Sequence, residues 1–109
     1  MMTLEQLEKD YWPAETSFPT PLVEKCYRLR KVPVGDLEPD DLRVLITQQI
    51  GLRFLVPLAI QLLENDPMME AEYYPGDLLE AVIDVKSAYW EEYPEQYKSV
   101  LELMERKKE

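Results

Sequence analysis

The sequence predicts an all-α fold, a compact bundle of about five to six helices in a single domain spanning residues 1–109. Three observations lead there. Apolar residues recur three and four apart through almost every segment, the spacing that gathers them on one helix face. No stretch alternates apolar and polar residues over a useful length, so no strand is expected. The nine prolines fall mostly at the boundaries of the periodic segments, where helices start or stop. With 46% apolar residues the chain can enclose one modest core, and 31% charged residues favour solubility.

Thr3 is the expected N-cap of a first helix running to about Trp12, with Gln6 completing a capping box and Glu5 pairing with Lys9 at i,i+4. A proline-marked loop covers Pro13 to Thr20. Thr20 followed by Pro21 opens a second helix to about Lys31, with Leu22, Cys26 and Leu29 on its inner face. Pro33 and Gly35 mark a turn, and Pro39 opens a third helix with Leu42, Leu45, Ile46 and Ile50 inside. Asp40 and Asp41 suit the first turn of that helix, and Gly51 its C-terminal stop.

The fourth helix, Leu52 to Asn65, is the most apolar and should be the central strut. Its apolar arc leaves only a narrow polar stripe of Arg53, Gln61 and Glu64. Pro57 lies on that stripe, so a bend toward solvent or a helix restart is expected there. Leu55 and Leu62 are expected in the core. Pro75-Gly76 then breaks the chain, and Asp77 caps a fifth helix with Glu80 three residues on and Leu78, Leu79, Val82 and Ile83 inward. A short turn near Ser87–Glu92 carries Tyr89 and Trp90. Pro94 opens the last helix, with Tyr97, Val100, Leu101 and Met104 inside and Glu102 paired with Arg106 outside.

Composition excludes several chemistries. The chain has no histidine, which removes the usual general base, the Ser-His and Cys-His nucleophile pairs and most zinc sites. Three scattered glycines form no phosphate loop, and no calcium-loop motif occurs, so neither a metal nor a cofactor is expected. Glu80 and Asp84 share a helix face, yet nothing around them marks an acid–base pair. No catalytic residue is assigned. Cys26 is the only cysteine, so no internal disulfide forms, and despite flanking Lys25 and Arg28 it reads as a small core residue. No signal peptide or membrane-length apolar run appears, which points to the cytoplasm and away from membranes.

Net charge is -10, and it is uneven. Residues 1–54 carry nine acids against seven bases, whereas residues 55–109 carry thirteen against five. Between Glu64 and Glu95 ten acids face one base, Lys86. Phosphate neutralisation needs cations, so nucleic acid is not the expected partner. The basic clusters Arg28, Arg30, Lys31 and Arg106, Lys107, Lys108 sit near helix C-termini and read as structural.

The segment Glu64–Asp77 holds five carboxylates, two methionines and two tyrosines, with no lysine or arginine. Like-charge pairs such as Glu80 and Asp84 at i,i+4 cost about 0.2–0.5 kcal/mol. Repulsion left in place suits a partner that relieves it. Tyrosine and methionine belong to the residue types enriched in recognition surfaces, although Tyr74 beside Pro75 reads as packing beneath the loop. The expected contact residues for a cationic protein partner are therefore Asp66, Glu70, Glu72, Tyr73, Asp77, Asp84, Glu91 and Glu92.

LEKDYW near the start, LRVLITQQIGLRFLVPLAIQLLENDP in the middle and YYPGDLLEAV after it together resemble one family. It is the family of small helical immunity proteins of bacterial contact-dependent growth inhibition, and the likeness runs from about Leu4 to the final helix. Its most specific parts are IGLRFLVPLA and YPGDLL. The resemblance implies a cytoplasmic protein that binds the C-terminal domain of a cognate toxin, commonly a nuclease, and neutralises it by occlusion without turnover or cofactor. A basic nuclease cleft that holds phosphates would accept an acidic plug, delivered by a protein that is a monomer before complex formation. The alternative is an acidic helical adaptor or secretion chaperone, which requires exposed apolar surface.

Overall fold

The computed structural model describes residues 2–12 and 17–107; residues 13–16 of the proline-marked loop and Lys108 lie outside them. The elements follow in the order α1 (Leu4–Glu8), α2 (Pro21–Leu29), a 3-10 turn (Val34–Asp36), α3 (Pro39–Thr47), α4 (Leu52–Asn65), α5 (Asp77–Ile83), α6 (Ser87–Glu92) and α7 (Pro94–Lys107). The fold is all-α, and no strand occurs among the described residues beyond two isolated bridges, Thr3 with Pro33 and Glu70 with Pro75. Seven α-helices stand among those residues, because the expected turn at 87–92 closes into a helix of its own.

Local chemistry sets the starts. Thr3 Oγ1 accepts the Gln6 N–H at 3.2 Å while Gln6 Oε1 accepts the Thr3 N–H at 2.9 Å, the expected capping box. Thr20 Oγ1 accepts the Val23 N–H at 3.1 Å, with Pro21 at the first helical position. The stops depend on distant residues. Helix α1 ends at Glu8, well short of Trp12, because Lys9 turns left-handed at φ 54. Glu5 is buried and bonds Lys31 at 2.9 Å and the Trp12 N–H at 2.9 Å, so it does not pair with Lys9. Burial raises the Glu5 pKa, but the bonds from Lys31 and Trp12, with the charges of Lys31 and Arg30, bring it below the ordinary 4.5. Arg30, 2% exposed, donates to the Glu8 carboxylate and the Asp10 carbonyl and lies 4.3 Å from the Trp12 ring centroid.

Helix α3 stops at Thr47, before Gly51. Gln49 takes the left-handed conformation at φ 59, its side chain tied to the Ile46 carbonyl and the Lys86 N–H. Gly51 is instead the N-cap of α4, at φ 64. A methyl group there would meet both Leu4 δ-carbons at 2.9 Å, so glycine lets the starts of α1 and α4 touch.

Helix α4 has the expected bounds and runs through Pro57 without a restart. Proline at that position removes the bond to the carbonyl of Arg53, a residue whose side chain is exposed on the polar stripe. Leu55, Val56, Ala59 and Leu63 are fully buried against Leu45 and Ile46 of α3, Leu78, Leu79 and Val82 of α5, and Val100 and Leu103 of α7. Leu62 is only partly buried. Helix α3 packs most extensively on α5 and also meets α2 and α4, while α4 meets α5 and α7.

Two inner faces differ from expectation. Leu22 is 43% exposed, leaving Cys26 and Leu29 as the buried side of α2. In α7, Tyr97 and Leu101 are exposed and Val100 and Leu103 are buried. The helix is turned because Gln96 Oε1 lies 2.5 Å from the Tyr89 hydroxyl, which also lies 3.2 Å from the Leu52 carbonyl. Tyr97 leans on Trp90, and burial of Tyr89 pushes its pKa up to about 12. Arg106 donates to the Glu64 carbonyl at 2.9 Å rather than pairing with Glu102.

Leu55→Ala should cost about 2–5 kcal/mol in urea unfolding, since it opens a cavity against three helices. Gly51→Ala should cost about 1–3 kcal/mol through its left-handed backbone and the clash with Leu4. A neutral result for Gly51→Ala would remove both the backbone strain and the Leu4 clash from the account.

Candidate functional site

Between α4 and α5 the chain folds residues 66–76 into a compact loop with its polar atoms tied inward. Asp66 Oδ1 accepts the Met68 N–H at 3.2 Å, and the Gly76 N–H reaches the Met68 and Met69 carbonyls, both at 3.1 Å. Gly76 makes this return at φ 91 and is the N-cap of α5, with the Met68 methyl 3.3 Å from where a side chain would begin. Met69 packs on the core margin, while Met68 stays 39% exposed.

Asp77 is therefore the first residue of α5 rather than its cap, and it is 4% exposed. Its carboxylate turns back into the loop. Oδ1 accepts the Ala71 N–H at 2.7 Å, and Oδ2 accepts those of Glu72 at 3.0 Å and Tyr73 at 2.9 Å. Burial by itself would raise the Asp77 pKa. The N–H donors of Ala71, Tyr73, Glu72 and Leu78 outweigh it and hold the pKa below the ordinary 3.8. Glu80 does not close a box with Asp77; it accepts the Tyr74 hydroxyl at 2.5 Å. That bond to Glu80 raises the Tyr74 pKa, and Tyr74 is 48% exposed rather than packed beneath the loop.

The counter-charge missing from the loop comes from α3. The Arg43 guanidinium lies 4.8 Å from the Tyr73 ring centroid, and its Nε donates to Asp40 at 2.7 Å. Asp40 in turn accepts Lys25 of α2 at 3.3 Å. Of this trio the sequence carries one sign, the i,i+3 spacing of Asp40 and Arg43, and the reach of Lys25 and Tyr73 to that pair depends on the tertiary fold.

Tyr73, Asp77 and Asp84 line one small depression of about 140 Å³ with Arg43, Tyr74 and Glu80. Glu72 and Tyr73 border an adjoining one of about 450 Å³ that reaches Lys25 and Asp40. Tyr73 stands between them, 69% exposed. Asp66 and Glu70 are exposed elsewhere on the loop. Glu91 and Glu92 are exposed on α6, and Glu92 faces a separate depression with Arg53 and Lys86. The eight anticipated residues thus divide between the loop with its α5 flank and α6, with Asp77 buried among them. A fourth depression, of about 610 Å³, is lined largely by apolar residues, among them Met2, Leu7, Leu37, Leu58 and Leu62, and contains none of the acids.

These groups can attract cations and stack against them. Cys26 is buried and its thiol pKa is raised by that burial, an effect larger than the pull of Lys25. No group of three or more metal-ligating side chains occurs among the described residues, and no helix there is long and apolar enough to cross a membrane.

A family model described as CDI immunity proteins matches residues 6–100. No curated protein and no solved structure matches the chain.

Because the folded Asp77 pKa is depressed, its stabilising effect is complete above the ordinary 3.8 and is lost as pH falls through the lower folded value. Asp77→Asn should destabilise by about 1–3 kcal/mol near neutral pH, with loop N–H groups left short of an acceptor. Urea unfolding of both proteins at descending pH should show that difference shrinking below about pH 4. A difference independent of pH would remove the ionised carboxylate from the account.

Proposed function

The chain belongs to the CDI immunity protein family, and we propose that it acts as one domain that binds and occludes the C-terminal domain of a cognate toxin. The toxin domain in this reading is a basic nuclease, whose phosphate-holding cleft is cationic. The protein meets it in the cytoplasm as a monomer, with no turnover. The observation that carries the choice of surface is Tyr73, 69% exposed at the tip of a hydrogen-bonded loop in the acidic half of the chain. A large exposed aromatic ring amid carboxylates suits a central anchor with a charged surround. Asp66, Glu70, Glu72 and Asp84 supply that surround, with Glu91 and Glu92 reinforcing the field from α6. Asp77 contributes from beneath the surface.

The apolar depression beside Leu58 and Leu62 is the feature that favours the other reading, an adaptor or secretion chaperone. Strong binding of a hydrophobic dye by the folded monomer, with no protection against a toxin, would decide for it.

The test is expression beside the C-terminal domain encoded by the neighbouring large surface-protein gene. Protection from that domain and not from unrelated toxins is expected, through a complex burying about 1,200–2,000 Å². Glu70→Lys combined with Glu72→Lys should slow association and flatten its salt dependence, with stability changing within about 0.5 kcal/mol per site. Tyr73→Ala should act on dissociation. Unchanged kinetics with protection intact would shift the contact to Asp84, Glu91 and Glu92.

A further inference from the structure

Three consecutive backbone N–H groups, of Ala71, Glu72 and Tyr73, converge on the single Asp77 carboxylate at 2.7, 3.0 and 2.9 Å. The acceptor is 4% exposed, whereas Tyr73 is 69% and Tyr74 48% exposed. Drawing three successive amides inward fixes the backbone of the segment, and with it the direction in which the Glu72 and Tyr73 side chains leave the surface. Two further ties act on the same few residues. Arg43 of α3 lies over the Tyr73 ring, and Glu80 of α5 holds the Tyr74 hydroxyl. Helices α3 and α5 are also the pair that packs most extensively. The loop tip is thus referenced to the core from three directions.

We propose that Asp77 is a positioning residue for partner binding: it makes no contact with the toxin domain and acts by holding the Tyr73 ring in its bound orientation before the partner arrives. The inference rests on the reading that this loop meets the toxin domain. A loop ordered in advance loses less conformational freedom on association, so affinity gained this way vanishes when the tie is cut. A direct contact would contribute independently of Tyr73, whereas a positioning residue contributes through it.

The experiment is a double-mutant cycle on the full chain, with the C-terminal domain encoded by the neighbouring surface-protein gene as probe. Tyr73→Ala is expected to weaken binding by about tenfold or more, as anchor truncation does. Asp77→Asn, read well below its melting temperature, is expected to weaken it by a similar factor. The double variant should bind no worse than Tyr73→Ala alone. Losses that multiply would overturn the proposal, because Asp77 would then act independently of the ring. Tyr73→Ala weakening binding while Asp77→Asn binds as the unaltered protein would overturn it also, leaving the loop interface standing. No effect from Tyr73→Ala would remove the interface and this inference together. Should Asp77→Asn fail to fold, amide hydrogen exchange on the unaltered protein decides. The amides of Ala71, Glu72 and Tyr73 should be protected like those inside α5, and exchange at open-loop rates would refute the tie.

Discussion

Burial of α4 against α3, α5 and α7 is the contact on which the rest of the structure depends. Helices α4 and α7 each span 14 residues, and the other five range from 5 to 9. Segments that short do not hold a helix in water by their own hydrogen bonds. They persist because Leu55, Val56, Ala59 and Leu63 give them one apolar surface to cover. Each buried leucine-sized side chain contributes about 1.5–3 kcal/mol, so the shared core outweighs what any helix contributes alone.

A core of short rods does not fix where each rod ends, and polar ties, most of them on buried groups, do that work. Glu5 with Lys31 and the Trp12 N–H bends the N-terminal segment back over α2. Arg30 clasps Glu8, Asp10 and Trp12 on the same side. Gln49 joins the end of α3 to the start of α6, and Tyr89 joins α6 to Gln96 of α7 and the first residue of α4. Several of these ties span twenty residues or more, among them Glu5 with Lys31, Arg30 with Glu8, Gln49 with Lys86 and Tyr89 with Leu52. Leaving one partner of such a buried group unpaired costs more than the bond itself contributes, so these few contacts carry specificity out of proportion to their number.

The acidic half looks different once its charges are placed. Asp77 is consumed by backbone amides and Glu80 by a tyrosine hydroxyl, so the repulsion suggested by the Glu80–Asp84 spacing is partly relieved within the chain. Arg43 then stands over the most exposed aromatic ring of the loop. A guanidinium on a tyrosine face amid carboxylates is an intramolecular version of what a basic partner would offer. That arrangement supports the proposed reading of this face as cation-seeking.

The sequence by itself determined the all-α class, the bounds of α4, the Thr3 and Thr20 caps, the proline starts of α2, α3 and α7, and the family. These are local or periodic facts, carried by residues within one or two turns of each other. Tertiary structure alone decided the rest. Helix α1 stops at Glu8, where Lys9 turns left-handed and Glu5 is claimed by Lys31, which no i,i+4 rule foresees. The buried stripe of α7 passes through Val100 and Leu103 because Gln96 is held by Tyr89. Asp77 reads as an acid for the surface and folds as an anchor beneath it, since three amide groups brought round by the loop find it as their acceptor. A carboxylate has the same local signature in either place. Which donors reach it depends on the path of the chain, and that path is set by how α3, α4 and α5 share one apolar surface.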